Sequence, residues 1–573
     1  MSFSKKGAYG PSNRVSESFF AATMKRSQCR KFGMAVVLVA FLGLVYFLIT
    51  RGSNEISYSP VDVRDWPLFS YGLMRTPDEP QARNQDGLSR SRVDKNVFDS
   101  TMLTRTEDRH AAMLQKLQAT IVGLRNFQVQ RLRALFKAGG DGPAILSKSR
   151  EFLRSMELDV KNMRELGGVN RSVTSNMLKL RNYVREKIHA LQNPTDCGRA
   201  PKLQCLLDNP HGVAAGIHDV LWCFVAALRM GRTVVLDSTQ WHYAPGMEWA
   251  KTFLPTAGPS CSSASKNNTI EKGYPGYDSA PNERSQILDL PSTIVEPLVG
   301  NHGNPYAWWY GQIVSYAFRL QDSTLQKIEE LKAAQGYAHP IVGVHIRQTD
   351  KSREAAYHSV EEYMSHVEEF YAGLSLTAPV EKKRVFVATD EPKVVNELRK
   401  KFPDYLVIHN NSSSSQAHDL GVRSKSSSLF GVISDIHLLA ESDFLVCTMS
   451  SGFCRVAYEL MQARHPDASL MAASLDVEYF YAYVPFPPRR TLQPNVPSFA
   501  SELGWSGPGV LIERPGTFAS LDEAKFKKNA DGFIAGRIAK HAALKQMTVF
   551  PVFKTVQTYR VANYSAFSTL PPS

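Results

Sequence analysis

The run His345-Ile346-Arg347-Gln348-Thr349-Asp350-Lys351 gathers a histidine, an arginine, an aspartate and a lysine within seven residues. It follows an apolar stretch, Pro340-Ile341-Val342-Gly343-Val344, that reads as a buried strand. Polar and cationic groups at the carboxyl end of such a strand stand where open α/β sheets bind ligands. Arg347 can hold a phosphate with a bidentate fork, and Lys351 as a point charge. Glu354 offers a carboxylate able to take a proton from a hydroxyl, as sugar transfer requires. The same residues also fit a salt-bridged surface turn, with Glu354 as a helix-start acid before Ser359-Val360-Glu361-Glu362.

A second constellation runs from Ser434-Asp435-Ile436-His437 through Asp443 to Glu459. It reads as a helix, a strand, a Thr/Ser loop and another helix. Ser450 and Ser451 would cap that last helix and turn its free amides toward a phosphate. Cys447 and Cys454 bracket the loop and would stiffen it. Asp435 can accept two donors from a guanine edge, or else cap the start of a helix. The chain has no Asp-x-Asp, the pair that commonly holds a divalent ion on a nucleotide diphosphate. With Arg347 and Lys351 in place, side-chain cations are expected to neutralise a leaving diphosphate without a metal or other cofactor. Zinc-ligand spacing, P-loop, Gly-x-Ser-x-Gly and Gly-x-Gly-x-x-Gly patterns are all absent.

The elements that position these residues alternate. Candidate strands are Thr233–Asp237, Ile341–Val344, Arg384–Thr389, Tyr405–Val407 and Phe444–Cys447, with helical runs between, such as Ser359–Tyr371 and Lys393–Lys401. This predicts an α/β domain over 193–480 with a parallel sheet covered on both faces. The Ser-rich stretch Asn411–Ser428 is expected to be a mobile loop where a lid could sit. Residues 101–192 carry helical periodicity: Met113, Leu117, Ile121 and Leu124; then Leu153, Met156, Val160 and Met163; then Met177, Leu180, Val184 and Ile188. Such helices pack on the main domain or pair with a second chain as a homodimer. Residues 51–100 read as a flexible stalk. Over 500–560 the pattern turns to short β segments of an SH3-like barrel or an irregular β-rich tail.

Across 573 residues, 67 Lys plus Arg against 54 Asp plus Glu give +13. No zinc finger, RNA-binding aromatic signature or long basic helix accompanies that excess, so nucleic acid is not the expected partner. Part of it lies in the first 31 residues, before the uncharged run Phe32–Thr50. That run just spans a bilayer. Lys25, Arg26, Arg30 and Lys31 before it place the tail in the cytosol and the rest across the membrane. Its length and long basic tail favour a signal anchor over a cleaved signal peptide. Of seven cysteines, Cys29 falls on the cytosolic side. The six beyond, Cys197, Cys205, Cys223, Cys261, Cys447 and Cys454, are expected to form three disulfides in an oxidising compartment, with the pairing open. Sequons at Asn170, Asn267, Asn410, Asn411 and Asn563 fit the same route.

HIRQTDK with the trailing EAAYHSVEEYMSHVEEFY, then VFVATDEP, then SDIHLLAESDFLVCTMSSGFCRVAYELMQARHPDAS, occur in that order. So do Asn193-Pro-Thr-Asp-Cys197, Leu236-Asp-Ser-Thr-Gln-Trp-His-Tyr243 and His302-Gly-Asn-Pro-Tyr-Ala-Trp-Trp309. Over roughly residues 100–560 the chain resembles the core α1,6-fucosyltransferases of N-glycans. The resemblance implies a single-pass type II Golgi membrane protein: a cytosolic tail (1–31), a transmembrane anchor (32–50) and a lumenal remainder. The latter would hold a helical stem, a Rossmann-containing, GT-B-like α/β catalytic domain and a C-terminal SH3-like β-barrel. It implies fucose transfer from GDP-fucose, with inversion and without metal, to the 6-hydroxyl of the innermost GlcNAc of a glycoprotein N-glycan. By motif, Arg347 would hold the β-phosphate, and His345, Tyr243, Asp435 and Ser451 would line the donor site. Lys351 would aid departure of GDP and Glu354 would be the base. The implied disulfides are Cys197–Cys261, Cys205–Cys223 and Cys447–Cys454.

The chain also departs from that family pattern. Gln348 stands where a second arginine is usual, one residue is missing between Lys351 and Glu354, and Gly452 replaces a usual glutamine. The cysteines of a tight turn near Asn209-Pro210 are absent, and Ala530 stands in place of a tryptophan. Two other readings follow: a fucosyltransferase on another GlcNAc acceptor, such as a chitin-like oligosaccharide, or a catalytically silent glycan-binding protein.

Overall fold

The computed structural model describes residues 97–128, 142–246, 249–261, 270–273, 285–349, 356–419, 421–481, 486–498, 502–514, 533–538, 548–569 and 571. The chain divides into two units, Met1–Arg90 and Ser91–Ser573. The first, with the expected tail, anchor at 32–50 and most of the stalk, lies outside the described residues, as does Ala530.

Three helices lead in: α1 (Thr106–Phe127), α2 (Gly142–Leu166) and α3 (Val169–Gln192). The apolar stripe of α3, Val173, Met177, Leu180, Val184 and Ile188, is buried in the main core. This helix therefore packs on the body of the protein. Ile121 of α1 meets Leu153 and Val160 of α2 in a smaller cluster. Met113, Leu117, Phe152, Met163 and Leu166 remain exposed.

The pair α1/α2 is also held by charge. Glu369, on α7 (Val360–Leu374), is buried and accepts from Arg150 and from Arg154 Nε at 2.6 Å, with Arg125 Nη1 3.9 Å away. Burial alone would push the Glu369 carboxyl up. The Arg154 hydrogen bond and the charges of Arg150 and Arg125 outweigh it and hold the carboxyl below its ordinary value. A depressed carboxyl stabilises the fold above the usual carboxylate range and loses that stabilisation as pH falls through its own pKa. Glu369→Ala would strand three arginines and is expected to cost about 3 kcal/mol, read as a lower melting temperature near pH 7.

Two parallel sheets follow. In the first, β1 (Lys202–Leu206) lies between β2 (Thr233–Asp237) and β3 (Ile270–Gly273). After β1 comes α4 (Val213–Met230). Among the described residues α4 alone is long and apolar enough to cross a membrane, yet it is a mostly buried core helix. Then come α5 (Pro305–Ala317) and α6 (Asp322–Gln335). The second sheet has five parallel strands, β4 (Ile341–Ile346), β5 (Lys383–Thr389), β6 (Tyr405–His409), β7 (Phe444–Cys447) and β8 (Ala472–Ser474), in the order β8-β7-β4-β5-β6. Its helices are α7, α8 (Lys393–Lys401), α9 (Asn411–His418), α10 (Ser426–Glu441) and α11 (Gly452–Arg464).

One expectation is overturned here. Asn411–Ser428 is not a loop throughout, because α9 occupies its first half and α10 begins at its end. Asn410 caps α9 by accepting from the Ser413 amide at 3.2 Å, and Ser413 and Ser414 are buried. Serines hide from pattern reading because they satisfy themselves on backbone and carboxylate partners.

The two sheets meet through helices. A Cβ on Gly311 of α5 would lie 2.2 Å from the Glu459 carbonyl oxygen of α11, so only glycine permits this approach. Beside it, buried His218 of α4 and Glu459 pair at 3.0 Å, and Tyr479 donates to the same Glu459 carboxylate at 2.7 Å. Disulfides join Cys197–Cys261, Cys205–Cys223 and Cys447–Cys454. The C-terminal part forms an antiparallel sheet, in the order Thr548–Pro551, Phe533–Ile538, Leu511–Glu513, Arg489–Thr491, Thr555–Gln557.

Candidate functional site

Because all five strands of the second sheet are parallel, their carboxyl ends share one edge, and Arg347, Asp390, the loop 448–451 and Asp476 all follow strand ends there. Asp390 organises this edge. It is buried and accepts from the Gln348 amide at 2.9 Å, the Thr349 amide at 3.4 Å and the Thr349 hydroxyl at 2.5 Å. The guanidinium of Arg347 lies 3.4 Å from the same carboxylate. One carboxylate thus shapes the turn after β4 and orients its arginine. Sequence reading did not single out Asp390, although an aspartate directly after a strand carried the signal.

His345 is buried, its ring stacked on Phe453 at 4.6 Å and 8°. That contact ties β4 to the first turn of α11. Ser451 takes the N-cap place of α11 with extended backbone but makes no side-chain cap bond, contrary to the capping expected of it. The first-turn amides therefore keep their positive end for an anion. The loop before α11 is fixed from both sides. Ser474 and Asp476 accept from the amides of Met449 (3.1 Å) and Ser450 (3.3 Å). Arg455 donates to the carbonyls of Met449 (2.9 Å) and Ser450 (3.3 Å). A Cβ on Gly452 would stand 3.2 Å from that of Ala214, so the first turns of α11 and α4 meet here.

Asp435 lies inside α10, which excludes a helix-start cap. One of its oxygens accepts from Ser413 at 2.6 Å; the other is buried and has no hydrogen-bond partner among the described residues. Burial pushes its carboxyl up to about 7, against the lowering effect of the Ser413 hydroxyl and the nearby Asn410 amide. An orphaned buried acceptor costs free energy unless a ligand supplies the donor. The connection to Arg347 runs through α9: Ser413 reaches Asp435, and His418 Nδ1 lies 3.2 Å from the Asp390 carbonyl oxygen.

Arg347, His345, Ser451 and Asp435 therefore belong to one edge. Tyr243 does not visibly join them. It is buried beside Trp241 and His242, and among the described residues no hydrogen bond or ring contact links it to β4 or α11. Lys351 and Glu354 fall outside the described residues. The N-cap of α7 is Ser359, in a capping box with Glu362. The Gln348 side chain has a buried Nε2 without a hydrogen-bond partner among the described residues. Among the described residues no cluster of three or more His, Cys, Asp or Glu is arranged to hold a metal.

Comparison with known proteins adds the following. A family model described as "Alpha-(1,6)-fucosyltransferase N- and catalytic domains" matches residues 108–480. A Drosophila melanogaster protein named "Alpha-(1,6)-fucosyltransferase" is 33% identical over 477 residues, covering 79% of this chain and 74% of that protein. A Caenorhabditis elegans protein of the same name is 33% identical over 318 residues, covering 52% of this chain and 56% of that one. A crystal structure of a NodZ alpha-1,6-fucosyltransferase soaked with GDP-fucose aligns at a TM-score of 0.28 and 14% identity, over 45% of this chain and 92% of that one.

Proposed function

The chain belongs to the alpha-(1,6)-fucosyltransferase family and is a fucosyltransferase, and from that premise we propose that it moves fucose from GDP-fucose to the 6-hydroxyl of the innermost GlcNAc of a glycoprotein N-glycan. One observation carries the donor reading. A buried carboxylate with an unfilled acceptor, Asp435, shares an edge with an arginine and an open helix N-terminus. Asp435 would take the two donors of a guanine edge. Arg347 and the first amides of α11 would take the diphosphate, with His345 and Ser451 beside it; a donor contact by Tyr243 rests on the family resemblance alone.

In the step proposed, Glu354 accepts the proton of the acceptor hydroxyl as its oxygen bonds the anomeric carbon from the far side. The carbon–oxygen bond to the β-phosphate breaks and GDP carries the electron pair away. Lys351 and Arg347 neutralise the charge that develops, which makes a metal unnecessary. The configuration inverts because one displacement occurs.

Phe32–Thr50 would anchor a type II protein in the Golgi membrane with 51–573 lumenal, and the C-terminal sheet would be an SH3-like barrel, which its five antiparallel strands support. The exposed Phe152, Met163 and Leu166 of α2, with Met113 and Leu117 of α1, lie three, four or eleven residues apart, near one helix face each. A second copy covering them would make a dimer; light scattering that finds only monomer rejects it.

The test is a transfer assay with GDP-fucose, a GlcNAc-terminated N-glycan and EDTA. Fucose on the innermost GlcNAc, with inversion seen by NMR, supports the proposal. No product while GDP binds redirects it to another GlcNAc acceptor such as a chitin-like oligosaccharide. No product and no GDP binding leaves a silent glycan-binding protein. Glu354→Gln is expected to keep nucleotide affinity and lose turnover; undiminished turnover would remove Glu354 as the base.

A further inference from the structure

We infer that the pair Glu478–Arg514 is a positioning contact through which the C-terminal sheet holds the donor-phosphate loop in shape. The inference rests on the donor reading above. The segment Ser474–Tyr481 leaves β8 at the carboxyl edge and spends nearly every side chain on a different part of the molecule. Ser474 and Asp476 take the amides of Met449 and Ser450. Asp476 also takes the Ser474 hydroxyl at 3.0 Å and the Val477 amide at 2.7 Å. Phe480 lies under the Arg455 guanidinium at 4.4 Å, and Arg455 grips the carbonyls of the same loop. Tyr479 reaches Glu459 of α11, and Tyr481 donates to the His218 carbonyl of α4.

Within this run Glu478 faces the C-terminal sheet. It accepts from Arg514, which directly follows the strand Leu511–Glu513. Arg514 is buried and its guanidinium covers Phe486 at 4.4 Å. A buried guanidinium seated on an aromatic ring has little freedom, so it fixes Glu478, and with it the backbone two residues from Asp476. Asp476 in turn sets where the Ser450 amide and the start of α11 point. Displacement of the C-terminal sheet would therefore be felt by the diphosphate, through a continuous set of packed contacts.

Two variants of the full chain separate positioning from folding. Glu478→Gln keeps the shape but puts a neutral amide where the buried Arg514 guanidinium met a carboxylate, so it lowers the melting temperature. The double variant Glu478→Met/Arg514→Met removes both charges and is expected to regain that stability. If the contact positions the loop, both variants bind GDP at least about fivefold more weakly by calorimetry. The KM for GDP-fucose rises while that for the acceptor stays put. A double variant that melts with the wild type and binds GDP equally well overturns the inference alone. A wild-type chain that binds no GDP overturns the donor reading, and the inference with it.

Discussion

Arg347→Ala is expected to abolish fucosyl transfer while leaving the fold intact. The arginine touches the Asp390 carboxylate at 3.4 Å and is a quarter exposed, so it is oriented but not entombed. Asp390 keeps its bonds to the Gln348 and Thr349 amides after the side chain is lost. The turn should therefore persist, and the melting temperature with it. What disappears is a preorganised cation aimed at the charge that forms on the departing diphosphate. Loss of one such donor costs about 3–4 kcal/mol of transition-state stabilisation, or two to three orders of magnitude in kcat. The neighbouring side chain, Gln348, carries no charge to share that load, which puts the effect at the upper end. Arg347→Lys should recover little, because an ammonium cannot reproduce the planar fork. Retention of more than about a tenth of the activity in Arg347→Ala, against that expected range, would place the diphosphate elsewhere.

Asp435 gives the second large effect, and it depends on pH. Burial raises its carboxyl from 3.8 to about 7, so the folded protein keeps a proton that the unfolded chain has already released. Stability from this group is complete below the unfolded value and drains away as pH rises toward 7. Guanine needs the opposite state, since only the ionised carboxylate accepts two donors. GDP affinity should fall by about tenfold for each pH unit below 7, the slope of one required deprotonation. Asp435→Asn should flatten that profile, weaken GDP by about a hundredfold at pH 8, and raise the melting temperature of the free protein there. A variant that binds GDP as tightly as the wild type at pH 8 would remove the guanine contact. The residue is thus paid for in stability and recovered in recognition.

The parallel strands were legible because Ile341–Val344, Arg384–Thr389 and Phe444–Cys447 are apolar runs of strand length between helical patterns. The positions of Arg347 at a strand end and of Asp435 on the helix before the next strand were legible from the apolar runs that flank them. Asp390 was not, since what marks it is three donors from the turn after a neighbouring strand, and sequence order hides that adjacency. The helix α9 escaped because serine runs resemble loops until a buried aspartate and an asparagine cap take up their hydroxyls and amides. The tie of Glu369 to three arginines spans more than two hundred residues, so no local window could show it.

The seam at Gly311 and Glu459 also sets how the enzyme can breathe. A helix whose backbone rests directly on its neighbour's carbonyl has no clearance in which to slide, and the buried His218–Glu459 pair pins the same spot. The two sheets are then expected to move as one solid piece. Nucleotide uptake should change the scattering envelope in solution hardly at all. Product escape would then need no swing of whole lobes.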